Sequence, residues 1–377
     1  MALLFRSYHV HQRTELERGK KKRKMALLCY DRGLKALLEE IVQKRLTEEV
    51  MPPDQVVFWV GAISREQRNV QHYSKKFNDP LCLQECNKDD LIEILTQRCN
   101  AQRLIIAQIY SGSYGQDLVT DLKEKLSDHF KEVMVGLMYP PAFFDAHELR
   151  HAMKGAGTDE NCLIEILASR TNSEIYAINE VYMMQFGVPL QEDIDSETSG
   201  HFRDTLMILA QGAREEGYEY EDQAMAAEDA TILWDACQGE SGEHKNMLQD
   251  ILCRKSYQQL WMAFQQFQLV SGQDIVDVIR DCYDGHFQQL LIAIILCVRD
   301  KASYFAYKLN SAIYDFGFHN KTVIRILISR SELDLMNIKR SYKEQYGNSL
   351  HHDIRQYASG HYEAALSAIC TGDAEDY

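Results

Sequence analysis

Proline all but disappears from this 377-residue chain after Pro141, with Pro189 the one exception. A proline inside a helix costs about 3 kcal/mol, so its scarcity leaves long stretches free to stay helical. Runs that alternate apolar and polar residues, the mark of half-buried strands, are also missing. The longest apolar run, Leu290 to Val298, falls well short of the roughly 20 residues that a membrane-spanning helix needs. Ten cysteines are scattered without CxxC spacing, Cys82 and Cys86 being the nearest pair, and no clear signal peptide precedes the chain. Reduced thiols in the cytosol or nucleus are therefore expected. There is no P-loop, no dinucleotide-binding glycine motif and no nucleophile elbow, so the common nucleotide-dependent and hydrolytic chemistries have no motif here.

What the chain does contain is a repeat. An apolar block that begins at Leu91 (Leu-Ile-Glu-Ile-Leu) returns at Leu163 (Leu-Ile-Glu-Ile-Leu), Leu248 (Leu-Gln-Asp-Ile-Leu) and Val323 (Val-Ile-Arg-Ile-Leu). A histidine followed by an aromatic residue recurs as His129-Phe130, His201-Phe202, His286-Phe287 and His361-Tyr362. The aromatic lies 39 residues after the start of its block in all four copies, while the blocks are 72, 85 and 75 residues apart. Only linkers vary, and four copies of one supersecondary unit follow.

Inside each unit the periodicity is helical. Ile175, Ile178, Val181 and Tyr182 share one face, and Thr171 with Glu174 offers a capping box at the start of that stretch. The fold class expected is all-α, with about five short helices per repeat.

Residues 153–160 read Met-Lys-Gly-Ala-Gly-Thr-Asp-Glu, and Glu197 follows Thr158 after 38 intervening positions. Hard cations such as calcium bind several oxygens, and a glycine-rich turn can offer backbone carbonyls. Gly155 and Gly157 tolerate positive φ, which lets successive C=O groups point outward. A carboxylate from a distant turn would complete the shell.

The run from Asp145 to Glu216, with Met-Lys-Gly-Ala-Gly-Thr-Asp-Glu, Ser169-Arg-Thr171 and Ser196-Glu-Thr-Ser-Gly-His-Phe202, resembles an annexin repeat. The likeness extends from about Glu85 to Tyr377. It implies four repeats (85–141, incomplete at its N-terminus, 142–213, 225–300 and 301–377) forming a curved disc, preceded by a non-annexin segment, 1–84. It also implies a non-enzymatic binder of anionic phospholipid that works through calcium, with no nucleic acid as partner.

The resemblance carries calcium ligands over unevenly. In repeat two, the carbonyls of Met153, Gly155 and Gly157 and the carboxylate of Glu197 match every position of the family's main site. Repeat one reads Leu83-Gln-Glu-Cys-Asn-Lys-Asp89 in its loop, with Lys125 at the acidic cap. Repeat three reads Glu240-Ser-Gly-Glu-His-Lys245, with Cys282 at the cap, and repeat four reads Ile313-Tyr-Asp-Phe-Gly-Phe-His319, with Tyr357. None of these three side chains replaces a calcium carboxylate, so three sites are expected to be degenerate. The resemblance further places Asp145, Glu148, Glu165, Arg170 and Arg330 in a polar centre between the repeats, where a structural ion-pair network is the expectation and ion conduction the alternative. Repeat three departs there too, with Lys255 in place of the arginine matched by Arg98, Arg170 and Arg330.

Charge is unevenly spread. Residues 1–84 carry 16 basic and 10 acidic side chains, or +6, leaving −21 on residues 85–377. An acidic body needs bridging cations to approach anionic headgroups. One loop without a dense carboxylate cage belongs with sites of roughly 10⁻⁴–10⁻³ M affinity. Losing three of four loops also removes most of an avidity gain of about 10²–10⁴. Weak or high-calcium membrane association from the cytosol is expected, with a calcium-insensitive interaction protein, cytosolic or nuclear, as the alternative.

Two further motifs stand apart. In the first 84 residues, Leu34, Leu37, Leu38, Ile41, Val42 and Leu46 form an amphipathic stripe, and Gly19-Lys-Lys-Lys-Arg-Lys24 forms a basic run. A segment with little order and a merely solvated basic run are the expectation; a cover for a missing first helix, and a nuclear or acidic-lipid signal, are the alternatives. His147-Glu-Leu-Arg-His151 matches HExxH, a zinc-protease signature, but no third ligand follows at a known spacing, so a chance match is expected.

Overall fold

The computed structural model describes residues 88–155, 157–216, 223–239, 241–315 and 317–371. The amphipathic stripe of residues 33–50, the basic run at 19–24 and most of the repeat-one loop lie outside the described residues. Within them the chain is all-α, with no strand.

Repeat one contributes α1 (Lys88–Thr96), α2 (Asn100–Tyr114), α3 (Leu118–Lys125) and α4 (Asp128–Leu137). Repeat two contributes α5 (Pro141–Ala152), α6 (Glu160–Ser169), α7 (Asn172–Phe186), α8 (Leu190–Glu197) and α9 (Gly200–Leu209). Then come α10 (Gln223–Gln238), α11 (Gly242–Arg254), α12 (Tyr257–Ser271), α13 (Ile275–Cys282) and the long α14 (Gly285–Tyr314). Repeat four closes with α15 (Asn320–Arg330), α16 (Leu335–Tyr346), α17 (Leu350–Tyr357) and α18 (Gly360–Cys370). α14 holds the last helix of repeat three and the first of repeat four, joined at Asp300, whose backbone is extended (φ −160°, ψ 101°). Asp300 caps the second half: its Oδ1 accepts from the backbone N–H of Ala302 (3.0 Å) and Ser303 (3.2 Å).

Local signals explain the helix ends. The capping box on α7 forms as its sequence asks: Glu174 N–H donates to Thr171 Oγ1 (3.3 Å) and Thr171 N–H donates to Glu174 Oε2 (2.8 Å). The four apolar blocks lie on α1, α6, α11 and α15, and on α6 every residue from Cys162 to Ser169 is buried. α14 packs against α6, α15 and α16, which makes it the seam between repeats two and four. Close helix approach is enforced at Gly136 on α4, where an added Cβ would lie 2.5 Å from Ile328 Cδ1 and 3.0 Å from Phe144 Cε2.

The recurrent histidine–aromatic pairs have a structural role. His129 packs on Tyr362 (5.4 Å between ring centroids) while Phe130 packs on His361 (5.9 Å). Likewise His201 packs on Phe287 and Phe202 on His286, both at 5.7 Å. Each pair is reciprocal, so repeat one braces repeat four and repeat two braces repeat three.

Candidate functional site

The α5–α6 loop begins where α5 runs out at Ala152. Met153 follows as the buried C-cap residue, and Gly155 (φ +117°) and Gly157 (φ +96°) then carry the chain through backbone angles that side-chain-bearing residues rarely adopt. An added Cβ at either glycine would meet nothing within 4 Å, so the demand for glycine is conformational rather than steric. Asp159 ends the loop twice over: its N–H donates to the Ala152 carbonyl (2.8 Å), and its side chain caps α6 by accepting from Cys162 N–H (3.1 Å). Thr158 ties the loop to α8, its hydroxyl donating to the Glu197 carbonyl (3.2 Å). Glu197, the last residue of α8, is exposed. Among the described residues no three His, Cys, Asp or Glu side chains are grouped to hold a metal. A cation held here would therefore rely on main-chain oxygens plus the Glu197 carboxylate, a donor set suited to a hard ion.

The equivalent positions in the other repeats have the same address and different chemistry. Lys125, Cys282 and Tyr357 are, like Glu197, the final residues of their helices (α3, α13 and α17). Lys125 and Cys282 are exposed, and partial desolvation, with Asp281 adding to it, raises the Cys282 thiol. The loops differ more. Seven residues (153–159) link α5 to α6, but three (239–241) link α10 to α11, with Ser241 accepting from His244 N–H to start α11 at once. The repeat-four loop keeps part of the backbone path: Gly317 has φ +105°, and His319 N–H donates to the Ala312 carbonyl (2.7 Å), as Asp159 does to Ala152. There Tyr357 meets Tyr314 edge-to-face (5.3 Å) and stacks on Phe318 (6.3 Å).

The five residues assigned to the polar centre fall into three separate ionic groups. Asp145 accepts from Arg170 Nε (2.7 Å) and Nη2 (2.9 Å), and both side chains are buried. Glu165 accepts from Arg325 Nε (2.9 Å) and Nη2 (2.8 Å), and Glu148 stands 3.7 Å from Arg325 Nη1. Arg330 does not join them. Asp334, one helical turn on, takes its guanidinium at 2.7 and 2.6 Å while Phe305 covers it at 4.8 Å, so a nearer partner captures the charge. The central arginine is Arg325, which the sequence reading missed. A signal existed: Arg325 holds the same block position as Glu165 with opposite charge. In repeat three, Lys255 caps α11 and reaches Met225 Sδ (3.7 Å).

Burial dominates the titrating groups nearby. It pushes the Glu148 carboxyl up to about 7, with Glu165 and Asp145 adding to the rise and Arg325 opposing it. His147 is pushed down to about 4 by burial, helped by His151 and Lys123. Its ring packs among Tyr139 (5.6 Å), Phe143 (5.3 Å) and Phe186 (5.7 Å). His151 is also lowered, first by burial and then by Lys321, Lys154 and Lys123. In HExxH terms, His147 is engaged in aromatic packing and Glu148 stands beside Arg325.

Comparison with known proteins bears on this arrangement. The family model described as annexin matches residues 83–137, 144–209, 228–294 and 304–369. Human annexin A10 is 70% identical over 293 residues, 78% of this chain and 90% of that protein. Human annexin A3 is 44% identical over 283 residues, 75% of this chain and 87% of that protein. Among solved structures, annexin III superposes with a TM-score of 0.74 at 43% identity, covering 76% of this chain and 89% of that one. A calcium-bound annexin (Sm)1 superposes with a TM-score of 0.71 at 25% identity, covering 81% and 90%.

Proposed function

This chain belongs to the annexin family, and from that premise we propose a calcium-responsive binder of anionic phospholipid surfaces that depends on one loop, in repeat two. The observation that carries the proposal is the α5–α6 loop, with two positive-φ glycines and a hydroxyl tie to the Glu197 turn. Met153, Gly155 and Gly157 would hold the ion through their carbonyls and Glu197 through its carboxylate. When bound, calcium supplies the positive charge that lets a body of charge −21 over residues 85–377 approach anionic headgroups. Binding is weak because the repeat-three turn has no length for a carbonyl cradle and the caps of repeats one, three and four are Lys125, Cys282 and Tyr357.

The fold needs no membrane crossing: among the described residues no helix is long and apolar enough to traverse a bilayer. Peripheral attachment from the cytosol is the matching location, with the nucleus as a second compartment. No catalytic role is assigned. A second reading, a calcium-insensitive interaction protein, draws on that same three-residue turn.

Vesicle co-sedimentation across a calcium titration, run with Glu197→Gln beside the parent chain, tests the proposal. Calcium-stimulated binding lost in the variant is expected. Binding indifferent to calcium and to the substitution points to the second reading.

A further inference from the structure

The calcium reading leaves the two histidines of the HExxH pattern without a role. His147 and His151 lie four residues apart on α5, so one helical turn sets them above one another on the same face. Their ring centroids are 5.2 Å apart and the rings are inclined at 41°. A divalent ion such as zinc binds imidazole nitrogen at about 2.0–2.1 Å, and a tetrahedral angle between two such bonds puts the ring centres about 5 Å apart. The observed separation is already that of a chelate.

The surroundings select an ion that seeks nitrogen. His147 is half-buried, its ring inclined by only 26° to Tyr139 and 27° to Phe143, with Phe186 edge-on, so one donor is fixed before a ligand arrives. His151 is exposed and lies in the last turn of α5, where the helix dipole presents partial negative charge. Among the described residues no hydrogen bond or ion pair ties up either imidazole, and none of their nitrogens is sealed from solvent. No carboxylate is grouped with the pair, so a hard ion such as calcium finds no side-chain oxygen there. Imidazole suits nickel, copper and zinc instead. Lys321, Lys154 and Lys123, which with Glu132 act on His151, oppose any cation and keep the affinity moderate. Glu148, which the zinc-protease pattern would set on the metal's water, stands 3.7 Å from Arg325 Nη1. The pair is therefore built to bind and not to hydrolyse.

We propose that His147 and His151 form a two-imidazole clip for a late first-row divalent cation, nickel, copper or zinc, with solvent completing its coordination. The clip goes beyond the calcium reading and does not depend on it. It takes a borderline ion through nitrogen, where the α5–α6 loop would take a hard one through oxygen. By bridging positions i and i+4 the ion locks the last turn of α5, from which that loop departs.

The test uses the full chain, stripped of metal, with Ni²⁺ and Zn²⁺ as probes. Because ten cysteines give a thiol background, the readout is resolved by site: carbethoxylation of histidines, mapped by peptide mass spectrometry. Either ion is expected to protect His151 in the parent chain, and excess calcium neither to protect it nor to displace the ion. His147→Phe keeps the aromatic packing and should abolish that protection. In equilibrium dialysis His147→Phe and His151→Gln should each weaken one equivalent of nickel roughly a hundredfold, since a lone imidazole lacks the gain from linked donors. Cooperative melting in chelator checks that both variants fold. Absence of protection by both ions, protection that persists in His147→Phe, parent-like nickel affinity in either variant, or displacement by calcium overturns the clip. Glu197→Gln should bind nickel as the parent does. Loss of the nickel equivalent in Glu197→Gln overturns the clip as well, because the ion would then belong to the repeat-two loop.

Discussion

Removing Arg325 should be among the most damaging single changes in this chain. Its side chain is 1% exposed and that of Glu165 0%, and the two meet through paired bonds of 2.9 and 2.8 Å. Arg325→Met leaves Glu165 without its cation in a dry interior, with Glu148 nearby as a second carboxyl. Breaking a buried pair from one side costs about 3–5 kcal/mol, chiefly the desolvation of the charge left behind. At about 2–4 °C per kcal/mol for domains of a few hundred residues, the melting temperature should fall by roughly 6–20 °C. Adding Glu165→Leu removes the stranded charge, so the double variant should recover most of the loss. Arg280→Met gives the scale for an exposed pair: Arg280 and Asp277 are 58% and 66% exposed, and such pairs contribute about 0–1 kcal/mol. Scanning calorimetry on the four proteins decides the matter. If Arg325→Met costs no more than Arg280→Met, or if Glu165→Leu fails to rescue it, the argument from desolvation is wrong.

Glu148 keeps its proton in the folded chain up to about pH 7, whereas an ordinary carboxyl sheds it near 4.5. The folded state thus holds more protons across that window, so this group lowers stability as pH rises through it. Glu148→Gln should gain on the parent chain by up to about 3 kcal/mol between pH 5 and 8, read from denaturation midpoints. His147 works in the opposite sense: its folded value of about 4 lies below the ordinary 6.5, so stability is lost as pH falls from 6.5 toward 4. His147→Phe should flatten that acid limb while preserving the aromatic packing. Gly136→Ala should lower the melting temperature by about 2–4 °C, because overpacking against Phe144 and Ile328 outweighs the helix propensity gained; Ile328→Val added to it should restore part of the loss.

The fold was readable in the sequence because its anchors repeat in register. The Leu-Ile-Glu-Ile-Leu blocks lie on buried helices, and the histidine–aromatic words meet in reciprocal pairs, a partnership that spacing alone could not assign. Arg325 was overlooked because, seen one block at a time, an arginine for a glutamate looks like surface variation. Only across the seam do the two positions face each other. Arg330 was misplaced for the converse reason: a shared motif position says nothing of an aspartate one turn away that takes the charge first. In repeat three the altered cap was visible in the sequence, but the shortening of the turn from seven residues to three depends on where the helices end. The join of α14 at Asp300 likewise arises from packing.

Glu197, Lys125, Cys282 and Tyr357 terminate matching helices without any of them entering the hydrophobic core. An acid, a base, a thiol and a phenol are thus all compatible with one scaffold at one address. Each repeat can consequently change its trade by a single codon while its neighbours keep theirs, and the molecule as a whole does not have to refold to accommodate the exchange.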